Sequence, residues 1–311
     1  MRRLLCRDMS PIVSRRLFSS LPPLPPSPLP SRRETHLWYI VPDELKDTSL
    51  LNQYMELLSP CERQRVLSMD GERLQKGALL ARALVRTTLA RYSDSRVDPR
   101  SIKFERNKFG KPEMVWQHDD SWTQPSLQFN VSHTSSLIAC GITLDVRIGI
   151  DVEEKQRKTI NSTLSLARRY FSHSEVEYLG SFSDSDTQQR EFIKLWTLKE
   201  AYVKALGRGF SGAPFKYFTV QLEASKGMQF SRALEVHVEA DSDCQYLTNN
   251  WQFILFELNS SHYVSICMEK DLNLSGDEND PLRLKVWKTI PFVGDELVSG
   301  TDAVKYISGL S

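Results

Sequence analysis

Three carboxylates on two kinds of element give this sequence its chemical character: Asp151 and Glu153 in IGIDVEE, and Glu200 in LWTLKEAYVKALG. In the first stretch Ile148, Ile150 and Val152 alternate with Gly149, Asp151 and Glu153, so both acids leave one face of a strand. In the second, Ile193, Thr197, Glu200 and Lys204 recur at spacings of four, three and four and share one side of a helix. With that side over the strand end, three hard oxygen donors converge without sulfur or imidazole. Such a set suits Mg2+ whose remaining octahedral positions go to substrate phosphates and water. Phosphate chemistry is the expectation. Each piece also has a plainer use: acid pairs at strand ends are often just solvated, and Glu200 four residues before Lys204 makes a favourable helix pair.

A basic and hydroxyl-bearing set lies upstream, comprising Arg82, Lys111, Ser132 and His133. His133 falls where FNVSH ends and a hairpin turns, which places it at a rim, and Thr134, Ser135 and Ser136 then offer hydroxyl and amide donors suited to phosphate oxygens. Lys111 sits in the NKFGKPE turn, from which a charged side chain can reach over a pocket. Arg82 and Arg86 stand one turn apart on LQKGALLARALVRTTLARY, beside an apolar side made by Leu79, Leu80, Ala83, Leu84 and Leu89.

The elements that must position these residues follow from periodicity. HLWYIV, from about His36, alternates as a strand, and helical spacing dominates from about Leu50 to Tyr92. SLQFNVSH and LIACGITL form a hairpin. After IGIDVE come a polar helical region with ARRYFSHSEVEYL, a flexible connection in SFSDSDTQQ, and a long helix, EFIKLWTLKEAYVKALG, stopped by Gly207. FTVQL, LEVHVEA, WQFILFEL and HYVSICME are strand-like. Helix followed by several strands occurs twice, which predicts an α+β fold of two similar halves. The expected division is residues 1–34 as a leader with a Pro-rich linker, 35–146 and 147–270 as the halves, and 271–311 as a linker and C-terminal tail.

Composition narrows the partners. The 311 residues carry 40 basic and 39 acidic side chains, a net +1 that gives no general grip on nucleic acid or membrane. No apolar run approaches the roughly 18 residues needed to span a bilayer. The five cysteines (Cys6, Cys61, Cys140, Cys244 and Cys267) make no CxxC pair, and the histidines show no HExxH spacing, so zinc has little support. The first 33 residues hold seven arginines, no lysine and a single acid, Asp8. That is the composition of a transit peptide, with the mitochondrion ahead of plastid or cytosol. LPPLPPSPLP reads as a polyproline-like spacer outside the fold.

FGKP, FNVSH, GIDVE and WTLKEAYVKALGRG occur in an order and spacing that resembles the 4′-phosphopantetheinyl transferases of the larger, Sfp-like type, over roughly Trp38 to Met268. The resemblance implies a monomer of two α+β halves related by a pseudo-two-fold, with the active site in the cleft between them. It implies coenzyme A and an acyl carrier protein as substrates, and 3′,5′-ADP as the leaving product. Asp151, Glu153 and Glu200 would then hold Mg2+ against the pyrophosphate, with Glu200 also the candidate base for the attacking serine. Lys204 would contact the phosphates at the reacting centre. Ser132, His133 and Lys111 would bind phosphate, with Arg82 and, more weakly supported, Arg86 in the nucleotide pocket. Two rivals differ in class. A metal-dependent nuclease could use Glu153, Glu154 and Lys155 as an ExK triplet, although its upstream acid is misplaced. An inert module binding coenzyme A or a carrier protein would not need three carboxylates. No P-loop or GxSxG elbow is present.

Overall fold

The computed structural model describes residues 22–116, 122–157, 162–209, 215–222, 236–240, 251–270, 283–299 and 304–306. Strand β1 (Glu34–Ile40) is followed by helices α1 (Thr48–Leu57), α2 (Pro60–Leu67) and α3 (Glu72–Arg91). The single helical stretch expected from residue 50 to 92 is thus broken twice. Ser59 starts α2 by forming a capping box with Glu62, with Pro60 in the first turn, and Gly71, at φ +89°, starts α3 in a conformation that L-residues avoid. Then come the short hairpin β2 (Lys103–Arg106) and β3 (Pro112–Val115), the longer hairpin β4 (Leu127–His133) and β5 (Ile138–Leu144), and β6 (Ile148–Glu154).

The second half continues with α4 (Thr163–Tyr170), α5 (His173–Gly180) and α6 (Ser185–Leu206), then β7 (Phe218–Leu222), β8 (Val236–Ala240), β9 (Trp251–Leu258) and β10 (His262–Glu269). SFSDSDTQQ is only in part a connection. Asp184 accepts from the backbone N–H groups of Asp186 and Thr187 and starts α6 at Ser185, so two extra turns precede the predicted helix. Its far end is where the sequence put it, with Gly207 in the left-handed conformation at the C-cap.

Two main sheets form, in the orders β12-β11-β1-β5-β4 and β13-β9-β10-β6, where β11 is Arg283–Ile290, β12 Gly294–Leu297 and β13 Val304–Tyr306. Residues 283–297, expected in a C-terminal tail, therefore belong to the first sheet: β11 runs parallel to β1, and Trp38 stacks on its register partner Trp287 with ring centroids 4.6 Å apart. The Pro-rich run is likewise part of the fold from Pro22 onward. Leu24 packs on the first core, the Ser27 N–H donates to the Arg91 carbonyl at 2.9 Å, and Arg91 donates to the Pro25 carbonyl at 3.2 Å. Residues 1–21, where the leader was read, lie outside the described residues.

Three apolar clusters stack in layers. The first joins α1–α3 to one face of the first sheet through Trp38, Ile40, Cys140 and Ile142. The third joins α4–α6 to the outer face of the second sheet through Phe253, Leu255 and Cys267. Between the sheets lies a shared core in which Leu37, Tyr39 and Ala139 meet Ile148, Ile150, Val152, Phe256 and Ile266. The alternation read in IGIDVEE has this cause: its apolar positions face the shared core. Gly141 lets the sheets close, because a Cβ there would lie 2.7 Å from Ile150 Cγ2.

Candidate active site

The two sheets meet at their edges, where β4 runs beside β6, and side chains replace a backbone ladder there. Asn130 Oδ1 accepts from the Ile150 N–H at 2.9 Å, and two residues on Ser132 Oγ accepts from the Val152 N–H at 3.1 Å. The period of two puts Asn130 and Ser132 of FNVSH on the seam and leaves Phe129 in the first core. This edge-on suture sets β4's rim against the acids of β6.

Helix α6 reaches the same place because Gly149 has no side chain. A Cβ at 149 would sit 2.0 Å from the Ala201 carbonyl oxygen and 2.2 Å from the Ala205 nitrogen. Backbone-to-backbone approach of helix and strand places Glu200 and Lys204, which flank Ala201, beside Asp151. The side of α6 that faces the cleft is Trp196, Glu200 and Lys204, at spacings of four. Ile193 and Thr197, assigned to that side from the sequence, are buried, and Thr197 Oγ1 bonds back to the Ile193 carbonyl.

The resulting cleft encloses about 440 Å³ and is lined by Ser132, His133, Asp151, Glu153, Glu200 and Lys204, together with Arg157 and Trp196. Asp151 is 5 % exposed. Its Oδ1 receives the Lys204 ammonium at 2.6 Å and the Ser132 hydroxyl at 3.0 Å, and Lys204 Nζ is also 3.0 Å from Ser132 Oγ. Its Oδ2 is buried with no hydrogen-bond partner. Glu153 takes Arg157 at 2.6 Å.

Burial raises the Asp151 carboxyl against the opposing pull of Lys204. Burial and the neighbouring Asp151 charge push Glu153 up to about 7, and the same two causes raise Glu200. Partial enclosure and the Lys204 ammonium lower the His133 imidazole. Among the described residues no three acid, histidine or cysteine side chains are already closed around a cation position. The donor set nonetheless fits one: three mutually repelling, partly desolvated carboxylates, one with a free buried oxygen, are what a divalent ion would neutralise.

A second cavity of about 700 Å³ adjoins the first across Val131. Its walls include Phe104, Phe129 and Val85 and the cations Arg65, Arg82 and Arg106. Arg82 is there, as expected, with its guanidinium lowered by burial and further by Arg65 and Arg106. Arg86 also lines this cavity. It is 3 % exposed, held by Glu62 at 2.7 Å and by the carbonyls of Pro99 and Ile102 at 2.9 Å, so it braces the wall. Lys111 is not brought into either cavity: its ammonium donates to the Ile148 carbonyl at 3.0 Å, its stem packs on Gly207, and burial pushes it down to about 8. It ties the β2–β3 hairpin to the start of β6.

The Glu153–Glu154–Lys155 triplet does not converge. Glu154 takes the hydroxyls of Ser135 and Ser136, and Lys155 pairs with Glu257 at 2.6 Å. The nuclease reading loses its constellation. Sequence reasoning missed Arg65, Arg106, Arg157 and Trp196. Trp196 alone carried a signal, one helical turn before Glu200.

Comparison with known proteins places this site in a class. Residues 147–267 match the sequence model of the 4′-phosphopantetheinyl transferase superfamily, and residues 47–142 match that of the N-terminal domain of 4′-phosphopantetheinyl transferases. The chain is 32 % identical to the 4′-phosphopantetheinyl transferase HetI of Nostoc sp. over 61 % of its own length and 75 % of that protein. It is 31 % identical to the 4′-phosphopantetheinyl transferase Sfp of Bacillus subtilis, over 55 % and 69 % respectively. With the mouse L-aminoadipate-semialdehyde dehydrogenase-phosphopantetheinyl transferase it shares 25 % identity over 70 % of its length and 68 % of that chain. The protein belongs to the 4′-phosphopantetheinyl transferase superfamily and is a transferase.

Proposed function

We propose that this protein transfers the 4′-phosphopantetheine arm of coenzyme A to a serine of an apo acyl carrier protein, releasing 3′,5′-ADP. One observation carries the reading. Residues of one sheet edge (Ser132, His133), of the other (Asp151, Glu153) and of a later helix (Glu200, Lys204) line a single cleft beside an arginine-walled cavity. The larger cavity, apolar with cations at 65, 82 and 106, suits an adenine bearing phosphate. The cleft suits the pyrophosphate.

Asp151, Glu153 and Glu200 would hold Mg2+, whose positive charge, when bound, offsets charge growing on phosphate oxygens. The chain's own groups do the rest. Lys204, fixed between Asp151 and Ser132, keeps a cation beside the reacting phosphate and favours the departing oxyanion. His133 and Ser132 orient phosphate oxygens from the opposite edge. Glu200, whose carboxyl burial and Asp151 raise, is the candidate base for the incoming serine hydroxyl, acting through a bound water or when free of the metal.

The test is the mass of an apo carrier protein after incubation with the enzyme, coenzyme A and Mg2+. A gain of one phosphopantetheine supports the reading, and no gain across fatty-acid and peptide-synthetase carriers ends it. His133→Ala should raise KM for coenzyme A about tenfold with kcat nearly kept, the pattern of lost ground-state binding. A selective rise in KM for the carrier would move His133 to the other substrate.

The finer picture extends the same reading. The helices-on-sheet arrangement on either side of the shared core supports two halves related by a pseudo-two-fold, and the family resemblance supports a monomer. The Arg-rich leader supports delivery to the mitochondrion, where a fatty-acid carrier would be the client. Fusing residues 1–40 to a fluorescent reporter tests the address. Among the described residues no helix is long and apolar enough to cross a membrane.

A further inference from the structure

The β4–β5 turn directly follows Ser132 and His133, and the sequence offers its hydroxyls as phosphate donors. The structure spends them elsewhere. Ser135 and Ser136 lie 2.9 and 2.7 Å from Glu154 Oε1, and each hydroxyl has one proton to give. Ser136 Oγ is also 3.0 Å from His262 Nε2, Thr134 Oγ1 is 3.2 Å from the same nitrogen, and Ser261 Oγ is 2.8 Å from His262 Nδ1.

With Ser136 donating to Glu154, its oxygen is left to accept, so Nε2–H donates to the Ser136 and Thr134 oxygens. Burial lowers the His262 imidazole, which favours the neutral ring with Nδ1 accepting from Ser261. His262 is 4 % exposed. Glu154 and His262 are register partners on β6 and β10, so both acceptor and donor belong to the second sheet. The turn belongs to the first.

We propose that Glu154 and His262 form a positioning clasp that holds the β4–β5 turn, and with it Ser132 and His133, in register over the cleft. The clasp is the third rung of a side-chain seam whose first two rungs are Asn130 to Ile150 and Ser132 to Val152. Those two rungs fix the strand. Only the third acts beyond the end of β4, on the Thr134–Ser136 turn that follows His133, whose other tie is its register with Ile138 of β5. Neither Glu154 nor His262 lines the cleft, so they act through the turn and not on substrate.

The inference rests on the reading that Ser132 and His133 contact phosphates of coenzyme A. The experiment uses the full chain with coenzyme A and an apo carrier protein. Wild-type transfer is measured first, and its absence would overturn the reading of function, clasp included. With wild-type transfer in hand, Glu154→Ala is expected to raise KM for coenzyme A about tenfold, the scale of one lost positioning contact, while kcat stays within about twofold. Its melting temperature should stay within about two degrees. Glu154→Gln, which keeps an oxygen acceptor for both hydroxyls, should return KM to within about threefold of wild type. The pair Ser135→Ala and Ser136→Ala should reproduce the Glu154→Ala effect and add nothing to it, because residues acting through one contact are not additive. A KM unmoved in Glu154→Ala, additive effects in the combined variant, or a Glu154→Gln as poor as Ala would each overturn the clasp.

Discussion

Asp151 and Glu200 are held in the cleft at an electrostatic cost, since burial raises both carboxyls and the Asp151 charge raises Glu200 further. Replacing Glu200 with Gln removes a charge the fold disfavours. We expect melting temperature to hold or rise while phosphopantetheine transfer falls by at least about a hundredfold, the scale of a lost acid–base group. Turnover within tenfold of wild type at saturating Mg2+ would take Glu200 out of the chemistry. His36 gives a separate, structural test. It is fully buried, with Nδ1 2.8 Å from the Tyr92 hydroxyl and Nε2 near Glu34, and burial lowers it to about 4 from an ordinary value of 6.5. The neutral ring is favoured in the fold, so its contribution is complete above pH 6.5 and is lost as pH falls toward 4, by up to about 3 kcal/mol. Urea midpoints from pH 7 to 4 should fall less steeply in His36→Gln. At this scale the acids, Lys204, Ser132 and His133 were legible because each sits in a periodic run. Arg65 and Arg106 were not, because an arginine on a polar flank looks the same in solvent and in a cavity wall.

Helix α6 and strand β6 touch through the absent side chain of Gly149. Gly149→Ala should push the helix off the strand, at a cost of about 3 kcal/mol or more for a methyl aimed into backbone. Glu200 and Lys204 would move with it. Circular dichroism melts and transfer assays on the same preparation check both halves of this expectation, and a variant that melts and turns over like wild type would refute the close packing. α6 also carries Lys199, 0 % exposed, with Glu175 at 2.7 Å and the Phe218 carbonyl at 2.6 Å, which fixes its rotation against α5 and β7. The glycine of GID was visible in the sequence, but its reason lay in a helix fifty residues on. The missed start of α6 has a local cause: SFSDSD reads as a loop, yet its first Asp, Asp184, is the cap that begins the helix.

Two segments far apart in the chain, residues 22–33 and 283–297, both close onto the first sheet and its helices. Compared with a chain that lacks residues 1–21, one that lacks 1–33 also loses the Leu24 packing and the Ser27 and Pro25 contacts to Arg91. We expect the longer deletion to melt about 2–6 °C below the shorter one, the scale of one to two kcal/mol in a domain this size. Equal melting of the two truncations would show the Pro-rich run to be a bystander. The α+β class was legible from the repeated order of helices and strands. The place of β11 was not, because RLKVWKTI mixes apolar positions with Arg283, Lys285 and Lys288 and its partner is the first strand of the fold.

That pairing has a consequence in time. Strand β1 ends at residue 40 and β11 at residue 290, so the ribosome adds about 250 residues before β1 gains its parallel neighbour. At roughly 5–20 residues per second, β1 waits on the order of 10–50 s after it is made. Throughout that interval its bonding edge is open, and the newborn polypeptide is at its most receptive to chaperones or to being threaded elsewhere. Whatever handles this protein before it matures has that half-minute in which to act.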